Sequence, residues 1–361
     1  MILGLILIEF LSFTWINYGL KHFNHRDYIN LKIIDRNIFK WQSHHYLNYI
    51  PRPNHHIIEE KDGNKIYSHN SLGFRGKEFK INKPSNTYRI VMIGGSAVYS
   101  SRVALDKLTI PARLEDQLKN MGYQNVEVIN GGVSGYGTSE SLINLQFRIL
   151  ELSPDLVILY EAINDLHNRY VPPELFFADN RGRLKSWDGY YFPFWAKSNL
   201  GRIVAFYTGY LNKYLFIDNY ISASTYLGHT QLDHDTKPDS FYKNLLRKNG
   251  SNFFKQNIIS IYGILKIRNI PFVISTYGYS LKIPKNNYLK NKMYLSGLLE
   301  MNTAIRDTAK EYKIPLIDYA LEMPDGAEYW RDEVHVTKNG ALKSAEIFSK
   351  NLVKLIALEK K

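Results

Sequence analysis

The stretch "RDEVH" (331–335) sets Asp332 and His335 three positions apart. At that spacing the carboxylate can fix one imidazole tautomer while the other ring nitrogen takes up a proton. Such a pair is half of a nucleophilic machine, and Ser96 in "YRIVMIGGS" could complete it. A short apolar run ending in glycines suits a buried parallel strand, and a serine on the turn that follows exposes its hydroxyl. Attack on an acyl carbon also needs donors for the oxygen that turns negative. The N–H of Ser96, the N–H of Gly135 in "NGGVSGYG" and the side-chain amide of Asn164 in "AIND" are candidates. Taken singly, Ser96 reads as a helix cap, Asn164-Asp165 as a turn and Asp332/His335 as a surface pair. Together they specify one chemistry, acyl transfer through a serine.

The elements that must position these groups follow from the pattern. Strands are expected at "YRIVMIGG", "VEVIN" (126–130), "LVILYEAIND" (156–165), "PFVISTYGY" (271–279) and "PLIDY" (315–319). Helical segments fall between them, near 109–121, 138–152, 253–268 and 292–312, and a last helix, capped by Thr337, runs to about 357. Strands alternating with helices give a parallel sheet covered on both faces, with reactive groups gathered at the C-terminal strand ends. Ser96, the 130–135 glycine loop, Asn164 and the Asp332/His335 segment all arrive at that edge. Between the third and fourth strands, an aromatic-rich insertion (168–252) breaks the rhythm and is expected to be mostly helical.

This order of blocks resembles the SGNH hydrolases, also called the GDSL esterase family, over about 90–355 with the insertion excepted. The family's first block reads Gly-Asp-Ser and falls on Gly94-Gly95-Ser96; its oxyanion glycine falls on Gly135, its Gly-x-Asn-Asp on "AIND", and its Asp-x-x-His on Asp332 and His335. Gly95 replaces the family's aspartate and Ala162 its glycine, and neither change removes a catalytic group. The resemblance implies a three-layer αβα sandwich on a five-stranded parallel sheet, the flavodoxin-like SGNH fold. It also implies a Ser96–His335–Asp332 triad, an oxyanion hole of Ser96, Gly135 and Asn164, and ester hydrolysis with no cofactor and no metal. Competing chemistries fail on residues. "GGSAV" lacks the lysine of a phosphate loop, "GGVSGYG" misses the dinucleotide fingerprint, and Val98 stands where a nucleophile elbow needs glycine.

The N-terminal run "MILGLILIEFLSFTWINYGL" is close to bilayer length, with Glu9 and Asn17 as its polar interruptions. With no basic start and no small-residue cleavage site, it reads as an uncleaved membrane-anchor helix (1–22) rather than a signal peptide. A juxtamembrane section with short strands (23–86) follows, then the hydrolase domain (87–358). Its paired histidines, His44-His45 and His55-His56, are expected at the surface rather than on a metal, because neighbours on a strand face opposite ways. The net charge of +12 is spread along the chain and carries no nucleic-acid signature, so no nucleic-acid partner is expected. The chain has no cysteine, which excludes disulfides, thiolate zinc sites and cysteine nucleophiles.

"NSLGFRG" (70–76) looks like membrane-tethered relatives associated with cell-surface polysaccharides. The expected substrate is therefore an O-acyl ester, an O-acetyl group above all, on a surface carbohydrate. O-acyl transfer to the same class of glycan shares the acyl-enzyme and differs only in the attacking nucleophile. A non-catalytic glycan-binding or assembly protein that keeps the fold is the other reading. The carbohydrate reading places the domain outside the cytoplasm, whereas Lys21, Arg26, Lys32, Arg36 and Lys40, all after the apolar run, favour the cytoplasmic side.

Overall fold

The computed structural model describes residues 2–20, 29, 40–42, 44–58, 65–179, 194–210, 237–283 and 288–355. It opens with α1 (Ile2–Thr14), extended by a π-helical turn, Trp15–Gly19. Two antiparallel pairs follow: β1 (Trp41–Gln42) with β2 (Ile50–Pro51), and β3 (His56–Ile58) with β4 (Lys65–Ser68). The α/β body runs β5 (Tyr88–Gly94), α2 (Ser96–Tyr99), α3 (Ile110–Asn120), β6 (Val126–Gly132), α4 (Thr138–Asn144), β7 (Leu156–Tyr160) and α5 (Ile163–Asn168). It continues through α6 (Asn199–Tyr207), α7 (Asp239–Lys248), α8 (Asn252–Ile267), β8 (Phe272–Ser275), α9 (Lys292–Tyr312), β9 (Leu316–Ile317), α10 (Tyr319–Glu322) and α11 (Lys338–Leu355).

The five strands of the α/β body form one parallel sheet in the order β6-β5-β7-β8-β9. Its central strands are buried along their length: Ile90 to Ile93 on β5 and Leu156 to Tyr160 on β7 are at most 2% exposed. This explains their unbroken apolar runs, since a strand covered on both faces has no solvent side to leave polar. Helices α3 and α11 pack together, as do α4, α8 and α9, so the sheet lies between two helical layers. This is the expected three-layer α/β architecture.

Several boundaries differ from expectation. The third strand stops at Tyr160, and "IND" belongs to α5, so Asn164 stands on the first turn of a helix. The fourth strand ends at Ser275, four residues early, and the fifth is two residues long. At these ends apolar composition continues after the hydrogen-bonded ladder has stopped, and composition alone cannot mark the break. The helix expected over 138–152 begins as α4 and continues through π and 3₁₀ turns to Leu152. Of the insertion, α6 and α7 are helical; 180–193 and 211–236, which hold much of its aromatic sequence, lie outside the described residues. So do residues 21–28 and 30–39, including the basic positions Lys21 to Arg36.

His55 is not a surface histidine. It is 4% exposed, its ring 5.6 Å from that of His69, and burial together with the nearby Arg52 charge pushes its pKa down to about 4. The segment around it is fastened to the α/β body. His69 Nε2 lies 2.8 Å from the Tyr99 hydroxyl. Arg75, 4% exposed, donates from Nε to Asp106 and from its two terminal nitrogens to the carbonyls of Tyr99, Ser100, Val103 and Ala104.

Within α1, Glu9 resolves the polar interruption. Its carboxylate accepts the N–H groups of Asn199 at 2.5 Å and Leu200 at 3.2 Å, the Ser198 hydroxyl at 2.8 Å and the Asn199 amide at 2.8 Å. An acidic side chain at a helix N-terminus satisfies orphan donors and complements the helix dipole. Helix α6 is thereby seated along α1.

Candidate active site

Ser96 is the first residue of α2, where a backbone N–H has no intrahelical acceptor. Its Oγ lies 2.7 Å from His335 Nε2. On the far side of the ring, Nδ1 is 2.8 Å from Asp332 Oδ1 and 3.0 Å from Oδ2. Asp332 Oδ1 also accepts the N–H groups of Val334 and His335, at 3.1 and 2.8 Å. This local turn is why the two residues sit three apart: the carboxylate organises the backbone that carries the imidazole. Burial opposes ionisation of Asp332, but the His335 ring and those N–H donors outweigh it and hold the pKa down at about 2. The aspartate is therefore ionised and fixes Nδ1 as the protonated nitrogen, leaving Nε2 to accept from Ser96. Arg102 Nε, on an exposed side chain, lies 3.2 Å from Asp332 Oδ2.

The loop carrying Gly135 comes to the same place. Gly135 has φ +87°, a backbone state that favours glycine. Its neighbour Ser134 is 2.6 Å, Oγ to Oγ, from Ser101 on the segment after α2. Tyr136 O accepts from Asn164 Nδ2 at 2.9 Å, which joins this loop to the start of α5. Neither the Ser96 nor the Gly135 N–H donates to an acceptor among the described residues. Ser96, His335 and Asp332 thus form one hydrogen-bonded chain, and Asn164 touches the Gly135 loop.

Glu161 is a site residue that the sequence reading missed. It follows β7, is 1% exposed, and its Oε1 accepts the N–H groups of Ala162 and Asn164, each at 3.0 Å. Its Oε2 is 3.4 Å from Asn164 Nδ2. Burial first, then the charge of Asp165, pushes its pKa up to about 8 despite these donors. Gly95 explains itself against this group: a Cβ there would lie 2.3 Å from both Glu161 Oε2 and Asn164 Nδ2, and 2.7 Å from Tyr136 O. Ala162 has φ −164°, outside the left-handed region that favours glycine. A sequence signal did exist, because a carboxylate inside an apolar run beside a candidate site is costly unless it is paired or neutral.

Asp165, whose charge acts on Glu161, makes its own hydrogen bonds to the start of α4. Its carboxylate accepts the Thr138 N–H at 3.0–3.1 Å and the Thr138 hydroxyl at 2.6 Å, holding the start of α4. A cavity of about 580 Å³ lies elsewhere, along edge strand β6, bordered by Lys77, Asp106, Glu115 and Asn130. Ser96 itself is bordered by Ala97, Ile110, Tyr160 and Val334, which leave no room for a water molecule among them.

No protein-family model matches the chain, and no curated protein matches it. Solved structures do. A lipolytic protein of the G-D-S-L family from Desulfitobacterium hafniense is 13% identical, covering 74% of this chain and 100% of its own, with a TM-score of 0.43. A GDSL-like lipase from Bacteroides thetaiotaomicron is 16% identical over 77% of this chain and 91% of its own, at 0.41. An acetylxylan esterase from Geobacillus stearothermophilus, solved as a catalytic mutant, is 14% identical over 77% and 98%, also at 0.41. What can be said of the site's chemistry rests on its own distances.

Proposed function

We propose that this protein is a serine esterase that hydrolyses O-acyl esters, with O-acetyl groups on a cell-surface carbohydrate as its substrate class. The observation that carries this reading is the 2.7 Å contact between Ser96 Oγ and His335 Nε2, on a ring whose other nitrogen is held by an ionised Asp332. His335 takes the Ser96 proton as Oγ attacks the acyl carbon. The oxygen that gains charge is met by the N–H groups of Ser96 and Gly135 and by the Asn164 amide. The same imidazole then protonates the departing sugar oxygen, and water, activated in turn by His335, releases the acid. The test is a fluorophosphonate probe on the full chain: Ser96 is expected to label covalently, and an unlabelled protein would sink the esterase reading.

The anchor belongs to the same proposal. α1 with its π turn supplies an 18-residue apolar span, Ile2–Gly19, of which only 11% is buried. α6 adds a second uncovered face, with Leu200, Val204 and Tyr207 at i, i+4 and i+7 exposed by 39%, 53% and 63%. An acid in the apolar segment is tolerable because Glu9 is neutralised by the N-terminus of α6. We read α1 and α6 as lying together against lipid. Because the chain has no native cysteine, Val204→Cys can carry a single fluorophore. In liposomes containing nitroxide-labelled phosphatidylcholine, that label is expected to be quenched, and one at Lys243→Cys is not. Equal emission from the two sites would remove α6 from the membrane face.

A further inference from the structure

We propose that Glu161 is a positioning residue for Asn164, occupying the space that Gly95 leaves empty, and that its proton decides whether the Asn164 amide is free to meet an oxyanion. This deepens the esterase reading and rests on it. The geometry is the ground for it. One carboxyl group holds Asn164 twice, by its backbone N–H at 3.0 Å and, more loosely, by its side-chain amide at 3.4 Å. No side chain fits at position 95 while Glu161 and Asn164 stand where they do. The resemblance places a carboxylate one residue before the nucleophile; here a carboxyl group reaches that point from the end of β7 instead.

The chemistry follows from the charge state. The second amide proton of Asn164 is tied to Tyr136 O at 2.9 Å, so the proton facing Glu161 is the one an oxyanion can claim. A neutral carboxylic acid competes weakly for it. An ionised one is roughly twice as strong an acceptor and sets a negative charge beside the point where another must develop. Burial and the charge of Asp165 on α5 favour the neutral form and outweigh the N–H groups of Ala162 and Asn164 and the Asn164 amide, which favour the carboxylate. The Tyr136 hydroxyl on the glycine loop is turned away to the Tyr49 carbonyl. His335 is engaged by Ser96 and Asp332. The sign is therefore fixed. Turnover is supported while Glu161 holds its proton and declines as pH rises through its elevated pKa, near 8.

The experiment is the pH profile of kcat for ester hydrolysis, and of the rate of Ser96 phosphonylation, in the full-length protein. Wild type is expected to lose activity on the alkaline side. Glu161→Gln, which cannot ionise, is expected to keep neutral-pH kcat within about tenfold and to abolish that alkaline decline. Glu161→Ala is expected to lower kcat by about 10- to 100-fold with little change in KM, because Asn164 loses its support. An alkaline decline unchanged in Glu161→Gln overturns the inference, as does an unaltered kcat in Glu161→Ala. Should the alanine variant fail to fold, the glutamine profile alone decides. A wild type whose Ser96 labels but shows no decline that depends on Glu161 refutes this inference and leaves the esterase reading standing, whereas a wild type that never labels refutes the esterase.

Discussion

Ser96→Ala is expected to lower ester turnover by about 10⁴- to 10⁶-fold while leaving the circular dichroism spectrum unchanged. The side chain lost is a hydroxyl at the first position of α2, bonded to His335 Nε2 and to no other partner among the described residues. The fold therefore has little to lose, and the reaction loses its only bond-forming atom. His335→Ala is expected to fall nearly as far, because without a base the hydroxyl stays protonated. The double variant is expected to be no worse than either single one, since groups that act as a unit are grossly non-additive. Asp332→Asn should retain more activity than either, orientation being partly replaceable. Steady-state hydrolysis of p-nitrophenyl acetate reads all four. Activity near wild type in Ser96→Ala would falsify the nucleophile assignment.

Asn164→Ala is expected to lower kcat by about 10²- to 10³-fold, or roughly 3–4 kcal/mol of transition-state stabilisation, and to move KM little. The contrast between kcat and KM matters because the acyl oxygen becomes a strong acceptor only as Ser96 attacks. The structure adds a second reason for a large effect. Asn164 Nδ2 also donates to Tyr136 O, so its loss loosens the loop that presents the Gly135 N–H. Asn164→Asp is expected to be at least as damaging, because an ionised carboxylate donates nothing and repels the oxyanion. Asp165→Ala is the contrast. It removes acceptors for the Thr138 N–H and hydroxyl at the start of α4, which should lower Tm, and it removes the charge that raises the Glu161 pKa, so kcat should change only through an earlier alkaline decline. An Asn164→Ala enzyme with wild-type kcat would sink the oxyanion role.

The parts of this architecture that read directly from sequence are those whose cause is local. A buried central strand needs an uninterrupted apolar run, and "YRIVMIGG" has one. The Asp332 turn needs its acceptor three residues before the imidazole, and "DEVH" provides it. The sequence pattern puts Asn164 on a strand because Ala162 and Ile163 continue the apolar run, although the ladder stops at Tyr160. Glu161 escaped notice for a different reason. What makes it part of the site is its approach to Gly95, 66 residues earlier in the chain, and no local pattern encodes that. The buried state of His55 likewise depends on a ring contact with His69 across the β3–β4 pair.

Arg75 carries a consequence for where this protein can be divided. The carbonyls it satisfies, those of Tyr99, Ser100, Val103 and Ala104, belong to the stretch that leaves the nucleophile's helix. A chain trimmed to begin at Tyr88 would keep every strand of the sheet and every member of the triad. It would also leave the Tyr99, Val103 and Ala104 carbonyls and the Asp106 carboxylate without this donor, at about 1–3 kcal/mol for each buried group left unpaired. The strain would fall within a few residues of Ser96 rather than at the cut. By that measure a chain trimmed at Tyr88 is expected to melt below the full protein, because what steadies the stretch after Ser96 comes from before the sheet.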